Sequence, residues 1–135
     1  MPLAFLDTNI ILRHLVQDHP DHSPRATAFI ERVARGEVAV RTTDTVIFES
    51  VFTLQRYYRW PRAQIRHALL PIVDLDAVTC PGKERVHRAF DLYLAHGVSF
   101  ADAYHAAVMA EEGIAEIATF DEGYDRLPGI TRLRL

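Results

Sequence analysis

The chain of 135 residues has little cysteine, little lysine and no long apolar run. Its one cysteine, Cys80, excludes an intramolecular disulfide and favours a reducing, cytoplasmic location. No stretch approaches the roughly 20 consecutive apolar residues of a membrane-spanning helix, so we expect no membrane association. The net charge of −3 argues against nucleic-acid binding through bulk positive charge. Apolar residues make up 49% of the chain, which favours one domain, residues 1–135, with a buried core.

Arginine supplies almost all of the positive charge, because fourteen arginines accompany the single lysine, Lys83. The planar guanidinium group matches phosphate oxygens in a way that the ammonium point charge of lysine does not. Arginines around an acidic metal site would therefore suit a phosphate-containing substrate. A GC-rich genome that encodes arginine in place of lysine explains the same bias equally well.

Apolar patterning predicts strands that alternate with helices. The predicted strands are 3–6, 37–42, 76–80, 114–119 and 131–135. The predicted helices are 10–16, 23–35, 43–58, 62–73, 83–96 and 99–112, and Pro71 leaves a break in the fourth helix open. This alternation is typical of an α/β domain with a mainly parallel central sheet of about five strands, flanked by helices.

Four acidic residues interrupt apolar runs at positions where such folds bind ligands; they are Asp7, Glu49, Asp102 and Asp121. Two of them follow predicted strands, whose carboxyl ends meet at one edge of a parallel sheet. Asp102 lies in the first turn of a helix that should begin at the same edge. Carboxylates beside apolar surface are costly without a partner, and a hard divalent cation is a suitable partner. The pattern therefore indicates an Mg²⁺ or Mn²⁺ site that could assist phosphodiester hydrolysis.

Each acid also has a structural explanation. Asp7 could cap the helix that follows it, and Asp102 lies three residues after Ser99, the spacing of a capping box. Glu49 could lie on a solvated helix face, and Asp121 could be an ordinary turn residue. The occurrence of all four acids in one chain favours the metal site over four separate structural roles.

The chain resembles the PIN-domain ribonucleases, and in size and layout it resembles the VapC-type toxins of bacterial toxin–antitoxin pairs. Four motifs in order carry the resemblance, which covers nearly the whole chain. They are D-T-N after the first strand at Asp7, Thr8 and Asn9; the helical acid Glu49; the element with Ser99, Asp102 and Ala103; and T-x-D at Thr119 and Asp121, followed by Tyr124.

The resemblance implies a metal-dependent endoribonuclease. Asp7, Glu49, Asp102 and Asp121 would hold Mg²⁺ or Mn²⁺, with Thr8, Asn9, Ser99 and Thr119 supporting these acids or orienting water, and with Asp125 as an extra acid. Hydrolysis would leave a 5′-phosphate and a 3′-hydroxyl. A homodimer and an inhibitory antitoxin protein are also implied.

Arg13, Arg56 and Arg59 could position RNA phosphates, because phosphate contacts fix the register of a nucleic acid without reading its sequence. A solvated helix face is the better explanation for any single one of them.

Three other enzyme classes fail at named residues. A haloacid-dehalogenase phosphatase needs an acid where this chain has Asn9, and a receiver domain needs its lysine after a late strand, where Lys83 does not lie. A P-loop would need serine or threonine at Glu84. A noncatalytic PIN-like binding or scaffolding module and a housekeeping RNA-processing nuclease remain as alternatives.

Overall fold

The computed structural model describes residues 3–135, which contain six α-helices, five short strands and one 3-10 helix. The helices are α1 Thr8–Val16, α2 His22–Ala34, α3 Asp44–Arg56, α4 Arg62–Val73, α5 Lys83–His96 and α6 Phe100–Glu112. The strands are β1 Ala4–Phe5, β2 Val40–Arg41, β3 Val78–Thr79, β4 Glu116–Ile117 and β5 Thr131–Arg132. The 3-10 helix, Glu122–Arg126, lies between β4 and β5.

The chain divides into two compact units, the first ending at Lys83 and the second running from Glu84 to Leu135. The first unit contains α1 to α4 and a parallel sheet of strand order β1-β2-β3. The second contains nearly all of α5, together with α6, the 3-10 helix and the parallel pair β4-β5. The predicted α/β fold with parallel strands is confirmed, and the five strands are divided between sheets of three and two.

In the first unit, β2 is the central strand, and Val40 pairs with Ala4 on one side and with Val78 on the other. The Thr42 hydroxyl donates a 3.0 Å hydrogen bond to the Leu6 carbonyl and so joins the carboxyl ends of β1 and β2. The apolar run of the first predicted strand, residues 3–6, would suit a buried strand, but residues 3–5 are exposed. Because β1 is an edge strand, both of its residues are exposed, and only the following Leu6 is buried.

Two helix starts that position acids follow the capping rules. The Thr43 side chain accepts a hydrogen bond from the Val46 backbone N–H, and α3 begins at the next residue. The Ser99 side chain accepts one from the Asp102 backbone N–H and starts α6 in the same way. Both caps are as the sequence predicts, and they fix where Glu49 and Asp102 fall on their helices.

Two other predicted boundaries differ from the structure. The second helix begins at His22, one residue before the predicted start, where the His19 ring nitrogen Nδ1 accepts a 2.9 Å hydrogen bond from the His22 backbone N–H. The fourth helix continues through Pro71 without a break. Its last turn keeps Ile72 and Val73 buried, and burial of each such side chain is worth roughly 1.5–3 kcal/mol, enough to offset the helix-breaking tendency of proline.

Each unit has its own apolar core. The first is built from aliphatic side chains, among them Val40, Ile47, Leu54, Ile65 and Leu69, all at most 1% exposed. The second has an aromatic cluster in which the rings of Phe90 and Phe100 lie 4.7 Å apart, with Tyr93 and Tyr104 beside them. These cores hold the helices that carry the acidic residues.

No helix within residues 3–135 has the length and apolar character needed to cross a membrane.

Candidate active site

In the first unit, Thr8 connects the end of β1 to α3. Thr8 is 6% exposed, and its hydroxyl donates a 3.4 Å hydrogen bond to Glu49 Oε2. Asp7, the preceding residue, lies between β1 and α1 and is exposed. The D-T-N motif and the helical acid, 42 positions apart in the sequence, are thus brought together at the carboxyl end of the first strand.

Asp7 occupies the N-cap position of α1, but its side chain makes no capping hydrogen bond. A capping aspartate would accept a bond from a backbone N–H in the first turn. The capping explanation for this residue therefore lacks the contact on which it depends, and the carboxylate is left for another role.

In the second unit, Asp102 and Asp121 face the same small space beside Gly123. A β-carbon at Gly123 would lie 3.0 Å from Asp121 Oδ1 and 3.7 Å from Asp102 Oδ2. Asp121 comes from the loop after β4 and Asp102 from the first turn of α6. A larger residue at position 123 would therefore crowd both carboxylates, and glycine avoids this.

Asp121 also has the turn role that its local sequence suggests. Its Oδ1 accepts a 2.8 Å hydrogen bond from the Gly123 backbone N–H and caps the 3-10 helix. The Thr119 hydroxyl in turn accepts a 3.0 Å bond from the Asp121 backbone N–H. Thr119 and Ser99 therefore act on the backbone of the two acids and fix the positions from which the carboxylates project.

The sequence-based assignment gives no role beside Asp102 to His105, which it misses, or to Tyr124, which it names only as the aromatic residue after the T-x-D motif. Tyr124, which is 4% exposed, bonds to the Asp102 side chain, and its hydroxyl lies 3.0 Å from His105 Nδ1. Burial and then this bond to Asp102 raise the pKa of the Tyr124 phenol, so the hydroxyl keeps its proton. The spacing of Asp102 and His105, three residues apart on one helix, could have indicated the pair.

The exposure of the acids corrects one part of the sequence-based reasoning. Asp7, Glu49 and Asp121 are exposed and Asp102 is half-buried. Three of the four carboxylates are therefore solvated, and burial does not force a cation on them. The stronger reason for a metal is the convergence of acceptor-only side chains, which repel one another when ionised.

The donor set of Asp102 and Asp121 fits a hydrated Mg²⁺ or Mn²⁺. Mg²⁺ is commonly held by one or two protein carboxylates and keeps several waters, and solvent reaches both residues because Asp121 is exposed and Asp102 is half-buried. Within residues 3–135, no group of three or more histidine, cysteine, aspartate or glutamate side chains is arranged to hold a metal ion. The described geometry thus supports a pair of carboxylate ligands in the second unit.

The arginines suggested for RNA lie on the first unit. Arg13 forms a 3.4 Å ion pair with Asp18 and lines a groove of about 540 Å³ together with Asn9 of the D-T-N motif. Arg56 ends α3, and Arg59 follows it with a positive φ of 60°. All three guanidinium groups are at least partly exposed to solvent.

The suggested extra acid, Asp125, is engaged elsewhere. Both of its oxygens accept hydrogen bonds from Arg132, at 2.9 and 3.0 Å. The Arg132 guanidinium group also lowers the pKa of this carboxyl. A carboxylate bound at both oxygens by one arginine is poorly suited to a metal.

Comparison with known families decides the assignment of the fold. The family model of the PIN domain matches residues 4–130, which cover most of both units and include all four acids. The chain belongs to the PIN-domain family. The resemblance that the four motifs indicate is thereby confirmed.

Relatives of this PIN domain match it over nearly their whole length. A VapC ribonuclease of Mycobacterium bovis is 29% identical over 137 residues, covering 97% of this chain and 99% of that protein. Ribonuclease VapC13 of Mycobacterium tuberculosis matches with the same identity and coverage. A VapC ribonuclease of Aquifex aeolicus is 24% identical over 125 residues, covering 93% of this chain and 92% of that protein.

Proposed function

We propose that this PIN domain is an endoribonuclease that hydrolyses RNA phosphodiester bonds and needs Mg²⁺ or Mn²⁺. The observation that carries the proposal is the full-length match to relatives named VapC ribonucleases, in a chain that keeps all four acidic motifs. The convergence of Asp102 and Asp121 beside Gly123 supports it. In a noncatalytic module the repulsion between the two ionised carboxylates would have no cation to offset it.

In this proposal, Asp7, Glu49, Asp102 and Asp121 hold the ion, while Thr8, Asn9, Ser99 and Thr119 hold or orient these acids. The grouping of these four acids rests on the sequence motifs and the family match. When bound, the ion would supply positive charge to the phosphate oxygens and lower the pKa of water. Thr8 orients Glu49 through its hydroxyl, and Thr119 and Ser99 fix the backbone at the other two sites.

The hydrolysis proposed forms a bond between a water oxygen and phosphorus and breaks the bond between phosphorus and O3′. A proton passes to O3′, so the products carry a 5′-phosphate and a 3′-hydroxyl. Arg13, Arg56 and Arg59 would hold neighbouring phosphates in register, and this contribution would be independent of RNA sequence.

The partners proposed for the protein are those that its resemblance to the VapC-type toxins implies. We assign it as the toxin of a type II toxin–antitoxin pair, acting as a homodimer in the cytoplasm and inhibited by a cognate antitoxin. A housekeeping RNA-processing nuclease would share the chemistry but would have no such inhibitor. Expression of the chain alone and together with its neighbouring reading frame separates the two, because only a toxin arrests growth when expressed alone.

The cleavage test compares wild type with Asp102→Asn and Glu111→Gln on labelled single-stranded RNA. Glu111 is a matched control because it is an acid on the same helix that pairs with Arg85. Wild type and Glu111→Gln should cleave with Mg²⁺ or Mn²⁺ and stop in chelator, and Asp102→Asn should be inactive. RNA binding without cleavage by wild type under any metal condition would instead support the noncatalytic module.

A further inference from the structure

The tyrosine beside Asp102 forms a hydrogen-bonded chain across the second unit. His105 lies three residues after Asp102 on α6, and Tyr124 lies three residues after Asp121, in the 3-10 helix. The Tyr124 hydroxyl contacts the Asp102 side chain and is 3.0 Å from His105 Nδ1. The buried Tyr124 hydroxyl thus links the 3-10 helix, which Asp121 caps, to α6, which carries Asp102.

The directions of these hydrogen bonds follow from counting protons. The Tyr124 hydroxyl has one proton, and an ionised Asp102 carboxylate can only accept. The hydroxyl therefore donates to Asp102, and its oxygen is left to accept from His105. This requires a proton on Nδ1 of His105, which fixes the tautomer of the ring if the imidazole is neutral.

We propose that Tyr124, locked by the Nδ1–H of His105, is a positioning residue that holds the Asp102 carboxylate in its metal-binding orientation. The inference rests on the proposed metal site and adds two residues to it. A hydrogen-bond donor to a ligating carboxylate restricts its rotation, and outer partners of this kind commonly change metal affinity by roughly 10- to 100-fold. Neither Tyr124 nor His105 would touch the ion itself.

A second buried tyrosine in the same unit provides a matched control. Tyr104 is 5% exposed and lies on α6, two residues after Asp102. Its hydroxyl accepts a 3.2 Å hydrogen bond from Arg85. Tyr104→Phe therefore removes one buried, hydrogen-bonded hydroxyl, as Tyr124→Phe does, but leaves the chain to Asp102 intact. Any general effect of losing a hydroxyl from this core should appear in both variants.

The experiment measures Mn²⁺ affinity by titration calorimetry in wild type, Tyr124→Phe, His105→Ala, the double variant and Tyr104→Phe. We expect roughly 10- to 100-fold weaker binding in Tyr124→Phe, a smaller loss in His105→Ala, and no further loss in the double variant. Tyr104→Phe should bind Mn²⁺ with an affinity within about twofold of wild type, since the Tyr104 hydroxyl is not part of the chain that positions the Asp102 carboxylate. Melting midpoints in chelator should be similar for the two phenylalanine variants, because each keeps its ring.

Nitrogen NMR of metal-free protein tests the hydrogen-bonded chain of His105, Tyr124 and Asp102 in the absence of metal. The neutral His105 ring should carry its proton on Nδ1 in wild type and lose this preference in Tyr124→Phe. An Nε2-protonated ring in wild type contradicts the inference, as does Tyr124→Phe that binds Mn²⁺ like wild type, or an equal loss in Tyr104→Phe. A wild type that binds no Mn²⁺ would overturn the proposed metal site as well, so the two failures are distinguishable.

Discussion

Asp121 is expected to have two separable roles, one in the turn and one in the chemistry. Its Oδ1 accepts the 2.8 Å hydrogen bond that caps the 3-10 helix. Asp121→Ala removes this acceptor, and loss of an N-cap costs roughly 0.5–2 kcal/mol. In a domain of this size the melting midpoint should fall by roughly 3–6 °C for each kcal/mol. Asp121→Asn keeps an amide oxygen in the same place, so its change in chelator should be within roughly 0.5 kcal/mol of wild type.

The metal chemistry should not distinguish the two Asp121 substitutions. Both remove the negative charge, so both should lose Mn²⁺ binding and RNA cleavage. The assay pairs thermal melting in chelator with calorimetric titration of Mn²⁺. Equal destabilisation by alanine and asparagine would refute the capping role of Oδ1. An Asp121→Asn variant that binds Mn²⁺ as tightly as wild type would refute the role of the charge as a ligand.

Three further variants test other parts of the account. Asp102→Asn should be at least as stable as wild type in chelator, because it relieves repulsion from Asp121; a clear loss on melting would mean that the Asp102 charge stabilises the fold, through its bond with Tyr124 or at the start of α6. Phe120→Ala, which removes an 85% exposed ring beside Asp121, should raise KM for single-stranded RNA roughly tenfold through lost base stacking, while kcat stays unchanged. Arg132→Ala should lower the melting midpoint at neutral pH only. The hydrogen-bonded pair with Arg132 lowers the pKa of Asp125 in the folded protein. The pair therefore stabilises the fold at pH values above the unfolded pKa of Asp125, and this stabilisation is lost as pH falls below about 4.

Local sequence signals predict the elements that carry the acids. The caps at Thr43 and Ser99 depend on side-chain bonds within four residues, and such bonds are visible in the sequence. The short apolar run before Asp7 predicts β1, although it does not predict its exposure. Exposure depends on whether a strand is central or at an edge, and this is set by pairing with residues far along the chain.

The contacts that complete the candidate site are not predictable from local pattern. Thr8 reaches Glu49 across 41 residues, and Tyr124 reaches His105 across 19. Periodicity places Asp102 and His105 on one helix face, but it gives no sign that a phenol from the 3-10 helix packs against that face. The division of five strands into sheets of three and two is likewise a tertiary result, because it depends on which strands pair across long stretches of the sequence.

The central claim is that the Asp7 carboxylate is a metal ligand. Its most direct test is the melting midpoint of wild type and Asp7→Asn against increasing Mn²⁺. A ligand at a hundred times its dissociation constant adds roughly 2.7 kcal/mol, which should raise the wild-type midpoint by several degrees. The account predicts that this rise is absent in Asp7→Asn. An equal rise in both proteins would contradict this claim and would mean that other residues bind the metal without Asp7.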